Sequence, residues 1–248
     1  METLDHIRRT IKENQAKSAM AADDAILLGA SKGQGAEVIE AFIQNGLTHF
    51  GENRVQEAAD KWPALKERHP GVTLHLIGPL QTNKVGDALS LFDVIQTLDR
   101  PKLAEAIAKE LKKEELKNWG TEELKKWRTE ELKKKNKNIP QFLNSSIPRP
   151  AFYIQVNTGE EPQKSGVAPK DAPEFIRYCR ELKLNVAGLM CVPPTSDMPA
   201  PHFALLRKLA MENGLLELSM GMSGDYETAI RMGSTCVRVG TALFGERA

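Results

Sequence analysis

The chain has few cysteines, few aromatic residues and almost no net charge, and these shortages exclude several classes of protein. Its three cysteines, Cys179, Cys191 and Cys236, are too widely spaced for a disulfide framework or a metal-binding knuckle, and we expect them to be reduced thiols. A formal net charge of +1 gives no overall attraction to nucleic acid. Metal-ligand residues at suitable spacings are also lacking, so no metal site is predicted.

Long apolar runs are missing as well. No stretch approaches the roughly 18 apolar residues that a membrane-spanning helix needs. The charged segment Met1–Ile7 lacks the apolar core of a secretory signal. We therefore expect a soluble, cytoplasmic protein without membrane contact. A length of 248 residues and a hydrophobic content of 41% are ordinary for one large globular domain.

Short apolar runs alternate with longer amphipathic segments, a pattern typical of a parallel sheet with helical crossovers. The predicted strands lie near residues 26–31, 47–50, 73–77, 92–96, 151–156, 185–190, 216–219 and 235–239. The predicted helices lie near residues 3–19, 35–45, 53–67, 82–89, 101–117, 170–182, 200–213 and 225–232. This count favours a single α/β domain over residues 1–248, a (β/α)₈ TIM-type barrel with an extra N-terminal helix, over an open sheet.

One charged segment interrupts this alternation. Residues 113–136 repeat with a period of eight, with Glu-Glu-Leu-Lys in each unit. On a helix that period rotates the leucines by about 80° per repeat, so they form no single core-facing stripe. We interpret residues 112–147 as a repeat-rich surface insertion and loop before the fifth strand. The alternatives are a docking arm that uses Trp119 and Trp127, or a weak contact between its positive charge and nucleic acid or a membrane.

A lysine closes the first predicted strand. Lys32 follows the apolar run Ile26–Ser31 and precedes the small-residue stretch Gly33–Ala36, where the mouth of a barrel would lie. Loss of hydration at such a place suits a lysine amine for forming a Schiff base with a carbonyl group. On its own, however, the position is more typical of a solvated lysine.

Two loops near the C-terminus have the composition of a phosphate-binding site. Ser219–Asp225 and Gly240–Thr241 supply glycines, hydroxyl groups and helix starts, whose exposed N–H groups bind phosphate. Barrels often hold a phosphate between the loops that follow strands seven and eight, where these two fall. Each loop alone fits an ordinary glycine turn equally well.

A lysine after the first strand and a phosphate cradle after the last two together describe a site for pyridoxal 5′-phosphate (PLP). Arg238, at the end of the eighth predicted strand, could donate a hydrogen bond to the ring nitrogen of that cofactor. An arginine stays charged and would keep the ring nitrogen unprotonated, which makes the cofactor a weaker electron sink than an aspartate partner would. A salt bridge at the rim of the barrel is the alternative role for Arg238.

Several longer motifs carry a family resemblance. They are Ala30–Lys32, Phe50–Glu57, His75–Lys84, Gln155–Asn157, Leu218–Ser223 and Val237–Gly245. Through them the chain resembles the pyridoxal phosphate homeostasis proteins (the YggS/PROSC group) from about residue 4 to 247, outside the repeat insertion. The resemblance implies a barrel like the N-terminal domain of bacterial alanine racemase. It also implies that PLP is held as a Schiff base on Lys32 and supplied to other enzymes.

The same resemblance implies the cofactor contacts and the partners. The implied cofactor-binding residues are Lys32, Asn53, His75, Ser219, Ser223, Gly224, Arg238, Gly240 and Thr241. Asn53 and Arg238 are implied as ring contacts, and His75 is implied as part of the same mouth. The implied phosphate contacts are Ser219, Ser223, Gly240 and Thr241. The implied partners are PLP and the apo forms of PLP-dependent enzymes, with a role in vitamin B6 balance. A monomer or a weak homodimer is expected.

The function has an enzymatic alternative, a PLP-dependent amino-acid racemase with Lys32 as one acid–base group. Two-base racemisation needs a second group on the opposite face of the cofactor. In alanine racemase that group is a tyrosine of a second, β-rich domain, for which no residues remain here. Tyr178 and Tyr226 fall in a predicted helix and at a helix start, and neither is an obvious second base. We therefore favour a carrier without catalytic residues. A barrel that binds another phosphorylated aldehyde or sugar is a third alternative.

Two features depart from the family pattern. Gly33–Gly35 follows the lysine where the group more usually has a short polar stretch that ends in proline, so we expect a more flexible cofactor loop. Because of the repeat insertion, the resemblance predicts nothing about the surfaces on that side of the barrel, including any dimer contact.

Overall fold

The computed structural model describes residues 2–22, 24–118 and 150–245. The strands are β1 Ile26–Ala30, β2 His49–Glu52, β3 Thr73–Leu76, β4 Val94–Leu98, β5 Ala151–Val156, β6 Val186–Cys191, β7 Glu217–Ser219 and β8 Cys236–Val239. The helices are α1 Glu2–Ala16, α2 Ala36–Gln44, α3 Val55–Arg68, α4 Val85–Leu91, α5 Pro101–Asn118, α6 Ala172–Glu181, α7 Pro199–Glu212, α8 Tyr226–Arg231 and α9 Thr241–Phe244.

These strands form one closed parallel barrel in chain order, β1 to β8, with β8 paired back to β1. The register places Leu28 of β1 opposite both His49 of β2 and Arg238 of β8. This closure confirms the predicted (β/α)₈ barrel, and α1 confirms the predicted extra N-terminal helix. Every predicted strand overlaps an observed one with ends that differ by at most two residues, and the predicted strand 151–156 coincides with β5.

The strands are largely apolar because both of their faces are buried. On β2, Phe50 faces outward and packs against Trp62 of α3, with ring centroids 5.3 Å apart. The next residue, Gly51, faces the barrel interior, where an added Cβ would lie 2.6 Å from Leu28 Cδ2. Alternation along each strand therefore separates a helix-facing layer from a barrel-facing layer.

The predicted insertion falls mainly outside the described residues. Helix α5 extends to Asn118, so it includes the start of the repeat. The next described residue is Pro150, just before β5. The assignment of residues 112–147 to a surface insertion, and of residues 1–248 to one domain, therefore stays a prediction. Within the described part of the chain, no helix is long and apolar enough to cross a membrane.

Candidate functional site

Most of the predicted site residues lie at the carboxyl end of the barrel. Lys32 follows β1, Asn53 follows β2, and Gly240 and Thr241 follow β8. Because all strands are parallel, the segments that follow them lie at one end, which is where barrel proteins carry their functional sites. β1 and β8 are neighbours, and an added Cβ on Gly240 would lie 3.5 Å from the Cβ of Ala30. The turn that carries Lys32 and the last loop are therefore adjacent.

The turn after β1 is anchored by helix α3. The Gly33 amide donates to Glu57 Oε1 over 2.6 Å. Lys61 Nζ donates to the carbonyl oxygens of Ser31 over 3.3 Å and of Gln34 over 3.1 Å. Three points of the turn are thus tied to one helix. The expectation of a more flexible loop took no account of these contacts.

A buried carboxylate completes this anchor. Glu52 Oε1 accepts hydrogen bonds from Ser31 Oγ (2.6 Å) and Trp62 Nε1 (3.0 Å) and forms an ion pair with Lys61 Nζ (2.9 Å). The side chain of Glu52 is fully buried, and that of Lys61 is 11% exposed. Lys61 is not among the residues predicted from sequence. Its one local signal is the spacing of four residues from Glu57 on a helix.

The charge state of Glu57 fits its role as an acceptor. Burial alone would raise its pKa, but the hydrogen bond from the Gly33 amide and the ammonium of Lys61 outweigh that effect. The pKa of Glu57 therefore lies below its ordinary value, and the side chain is ionised at neutral pH.

The loops after β7 and β8 meet at one hydroxyl group. Ser223 Oγ accepts hydrogen bonds from the backbone amides of Gly240 and Ala242, each over 3.3 Å. Gly221 allows this approach, since its φ of +95° favours glycine and an added Cβ would lie 2.5 Å from the Cβ of Ala229. At Gly224 an added Cβ would meet nothing within 4 Å. The structure thus directs amide and hydroxyl groups of both loops to one place with open room beside it.

Asn53 is placed by a close contact between backbones. An added Cβ on Gly78, which follows β3, would lie 2.2 Å from the carbonyl oxygen of Asn53 and 2.7 Å from its Cα. Only glycine permits that approach. The segment after β2 therefore rests directly on the segment after β3, and this contact fixes where Asn53 stands at the mouth.

The side chain of Arg238 extends from β8 to the ends of β7 and β6. Its Nη1 donates to Ser219 Oγ over 2.6 Å, and its Nη2 donates to the carbonyl oxygen of Cys191 over 2.8 Å. Ser219 is the last residue of β7 and Cys191 the last of β6. The guanidinium is therefore held at the carboxyl end of the barrel although the residue is only 5% exposed.

Both hydrogen-bond acceptors of Arg238, the hydroxyl of Ser219 and the backbone carbonyl of Cys191, are neutral. The thiols near the guanidinium are neutral as well. Burial raises the pKa of Cys191 to about 12 and raises that of Cys236 as well, so both nearby thiols stay protonated. Burial lowers the pKa of Arg238, an effect that the charge of Asp225 opposes without a hydrogen bond. A buried cation with only neutral hydrogen-bond partners is costly unless a further acceptor or anion meets it.

His75 and Ser219 lie below the mouth, in the barrel interior. Ser219 Oγ donates to Gln96 Oε1 over 2.6 Å, and Gln96 Nε2 lies 3.0 Å from His75 Nδ1. His75 Nε2 in turn lies 3.0 Å from His49 Nδ1. His75 and Ser219 are predicted site residues, whereas Gln96 and His49 were not predicted. The available signal for Gln96 is its place, beside Thr97, within the otherwise apolar strand Val94–Leu98.

Within the described residues, no group of three or more histidine, cysteine, aspartate or glutamate side chains could hold a metal ion. The candidate site offers instead the amine of Lys32, the guanidinium of Arg238, the backbone amides of Gly240 and Ala242, and the hydroxyl groups of Ser223 and Thr241. Such a set suits a phosphorylated carbonyl compound with an acceptor atom on a ring.

Comparison with known proteins places this arrangement in a family. The family model for the N-terminal domain of alanine racemase matches residues 3–248. A pyridoxal phosphate homeostasis protein of Aquifex aeolicus is 38% identical over 256 aligned residues, which cover 99% of this chain and 97% of the relative.

Solved structures agree with that match. PipY of Synechococcus elongatus, with PLP bound, aligns with a TM-score of 0.66 at 30% identity over 95% of this chain and 100% of that chain. An alanine racemase of Clostridium difficile, at 14% identity, shares the fold with a TM-score of 0.63, and the match covers 96% of this chain but 56% of the racemase. The chain therefore belongs to the family of the pyridoxal phosphate homeostasis proteins, which shares its barrel with the N-terminal domain of alanine racemase.

Proposed function

We propose that this chain binds PLP and acts in PLP homeostasis, with Lys32 as the amine that holds the aldehyde carbon as a Schiff base. One observation carries the proposal: Ser223 and the amides of Gly240 and Ala242 converge beside the strand that leads to Lys32. The distance between a phosphate and an aldehyde on one ring suits a site in which both anchors follow adjacent strands.

The hydrogen-bonding groups at the mouth support a phosphorylated ligand. We assign the phosphate to Ser223, Gly224, Gly240 and Thr241, whose amides and hydroxyls are typical phosphate donors. We assign the ring nitrogen to Arg238, whose two hydrogen bonds use only part of its donor set. A ligand acceptor there would also relieve the cost of a buried guanidinium with neutral partners.

The remaining predicted contacts have different places in this proposal. Asn53 stands at the mouth and is assigned to the ring. Ser219 and His75 are buried beneath Arg238, so they act on the ligand only indirectly, through the hydrogen bonds that lead to Arg238. When bound, the cofactor supplies an electrophilic carbon that captures amines; the protein supplies the pocket that holds and releases it.

We further propose a carrier rather than a racemase, with cytoplasmic apo forms of PLP-dependent enzymes as recipients. The three tyrosines support this choice. Tyr178 donates to Glu105 on the outer helices over 2.7 Å, and the hydroxyl of Tyr226 bonds to Thr10 of α1. Burial raises the pKa of Tyr153 above its ordinary value, which suits it poorly to proton transfer. A monomer or weak homodimer stays a prediction.

Absorption spectroscopy tests the cofactor assignment. Wild-type protein incubated with PLP and dialysed should retain the long-wavelength band of lysine-bound PLP, and Lys32→Ala should lose it. Lys84→Ala is the matched control, since Lys84 also follows a strand at this end and bonds to Gln56 and Asp87. A colourless wild type, or a band retained by Lys32→Ala, would contradict the assignment.

A second assay separates the carrier from the enzyme. Loaded wild-type protein should restore activity to an apo PLP-dependent enzyme, whereas Lys32→Ala treated in the same way should not. Deuterium exchange at the α-carbon of alanine with catalytic turnover, together with failure to restore the apo-enzyme, would favour the racemase.

A further inference from the structure

A continuous chain of hydrogen bonds descends through the barrel interior from Arg238. It joins Arg238 Nη1 to Ser219 Oγ (2.6 Å), Ser219 Oγ to Gln96 Oε1 (2.6 Å), Gln96 Nε2 to His75 Nδ1 (3.0 Å) and His75 Nε2 to His49 Nδ1 (3.0 Å). The first four residues are at most 5% exposed. At such burial each polar atom needs its partner, so the chain is satisfied as a unit.

The arginine fixes the direction of this chain, because a guanidinium can only donate. Ser219 Oγ accepts from Arg238, so the proton of Ser219 goes to Gln96 Oε1. The amide nitrogen of Gln96 then donates to His75 Nδ1. This leaves the ring proton of His75 on Nε2, from which it donates to His49 Nδ1.

Both imidazoles are neutral in this arrangement, and their surroundings agree with that. Burial lowers the pKa of His75 to about 3, and the neighbouring His49 adds to the effect. Burial also lowers the pKa of His49, against the opposing charge of Asp93. A proton on His75 Nδ1 would face the amide group of Gln96, donor against donor.

Gln96 is the member that links the hydroxyl of Ser219 to the ring of His75, because its amide both accepts and donates. Its amide oxygen accepts from Ser219, and its amide nitrogen donates to His75 and, over 3.9 Å, to Cys236 Sγ. A glutamate would accept on both sides, and a leucine would do neither. With leucine, Ser219 Oγ can still accept from Arg238, but its proton loses the acceptor that fixes the orientation of the hydroxyl. Only the bond of Arg238 to the carbonyl of Cys191 is then independent of how that hydroxyl rotates.

We propose that Gln96 is a positioning residue which, acting through Ser219, holds the guanidinium of Arg238 in the orientation that meets a ligand at the mouth. The nature of the ligand, a ring with an acceptor nitrogen, rests on the proposed function. The orientation of Arg238 and the tautomers of the two histidines are properties of the protein without ligand, and they can be measured separately.

Nitrogen-15 NMR of the ligand-free protein provides that separate measurement. Wild type should carry the ring proton of His75 on Nε2 and show distinct Nη signals for Arg238, assigned with Arg238→Lys. Gln96→Glu should move the ring proton to Nδ1, and Gln96→Leu should merge the Nη signals. Wild type with the proton on Nδ1, or Gln96→Leu with distinct Nη signals, would overturn the proposal.

The matched control is Thr97→Val on the same strand. Thr97 is also buried, but its hydroxyl bonds to the carbonyl of Gly78, outside the chain. This variant should leave both the His75 tautomer and the Arg238 signals unchanged. A tautomer change in Thr97→Val as large as that in Gln96→Glu would mean that general loss of packing moves these signals, and it would overturn the assignment to Gln96.

Titration with PLP completes the test. Gln96→Leu should bind PLP about fivefold more weakly than wild type and Thr97→Val, because one orienting hydrogen bond contributes about 1 kcal/mol. Equal affinity of Gln96→Leu and wild type would show that Gln96 does not act on the ligand. If wild type binds no PLP, the proposed function fails, and the NMR results alone then decide whether Gln96 positions Arg238.

Discussion

The amide of Gly33 donates a 2.6 Å hydrogen bond to the carboxylate of Glu57, and this contact ties the turn after β1 to the first turns of α3. Gly33 adopts a φ of +74°, which favours glycine. The turn contains no proline that would restrict its backbone, and a carboxylate from a neighbouring helix holds it instead. This contact also fixes the backbone position of the neighbouring Lys32 at the mouth of the barrel.

The ion pair behind this turn gives the first prediction. Lys61→Met should lower the free energy of unfolding by about 3 kcal/mol, because it leaves the buried carboxylate of Glu52 without its cation. Glu52→Gln in the same chain should recover most of that loss, since the amide oxygen can still accept from Ser31 and Trp62. Urea unfolding of both single variants and the double variant measures the coupling. Additive losses would contradict a direct pair.

Ser223 gives the second prediction, which concerns the phosphate. Ser223→Ala should weaken binding of PLP about tenfold, the usual effect of losing one charge-assisted hydrogen bond. Binding of pyridoxal, which lacks the phosphate, should change much less. Absorption titrations with both ligands measure the difference. Ser196→Ala, which removes a hydroxyl bonded to Asp197 in another loop at this end, is the control. Equal weakening for both ligands would place the phosphate elsewhere.

The barrel itself could be predicted from sequence because its signals are local. The alternation of apolar runs with amphipathic segments recurs along the chain, and strand β5 matches its predicted range. Lys32 stands out for the same reason, as a cation at the end of an apolar run. Such features depend on neighbours a few residues away.

The interior of the site could not be predicted in the same way, because its contacts are long-range. Gln96 and Ser219 are 123 positions apart in the chain and become partners only when β4 and β7 face each other across the barrel. Their side chains give no sequence period that reveals the pairing. Lys61 is similar: its spacing from Glu57 is visible, whereas its contact with Glu52 depends on how α3 packs on β2.

The third prediction concerns the close contact between Gly78 and Asn53. Gly78→Ala should lower the free energy of unfolding by about 2 kcal/mol or more, because the new Cβ would meet the Asn53 carbonyl oxygen at 2.2 Å. It should also weaken PLP binding, since Asn53 must shift. Gly71→Ala is the control, as its Cβ would meet nothing within 4 Å. Equal stability of the two variants in urea would show that the two backbones separate without cost.

The last prediction follows from the neutral histidine in the barrel. The folded state lowers the pKa of His75 from 6.5 to about 3, so between these values the unfolded state binds a proton that the folded state excludes. The contribution of His75 to stability is therefore complete above pH 6.5 and is lost as the pH falls towards 3. By pH 5 the loss should reach about 2 kcal/mol relative to pH 7.5. Urea unfolding at these two pH values measures it.

A variant isolates this contribution from other titrating groups. His75→Gln keeps a polar side chain in the barrel but removes the titrating ring, so its stability should fall about 2 kcal/mol less than that of wild type between pH 7.5 and pH 5. His6→Gln removes an exposed histidine from α1 and should follow the wild-type pH profile. If His75→Gln also follows the wild-type profile, the ring of His75 accepts its proton as readily in the folded barrel as in the unfolded chain. Burial would then not keep the ring of His75 neutral below pH 6.5.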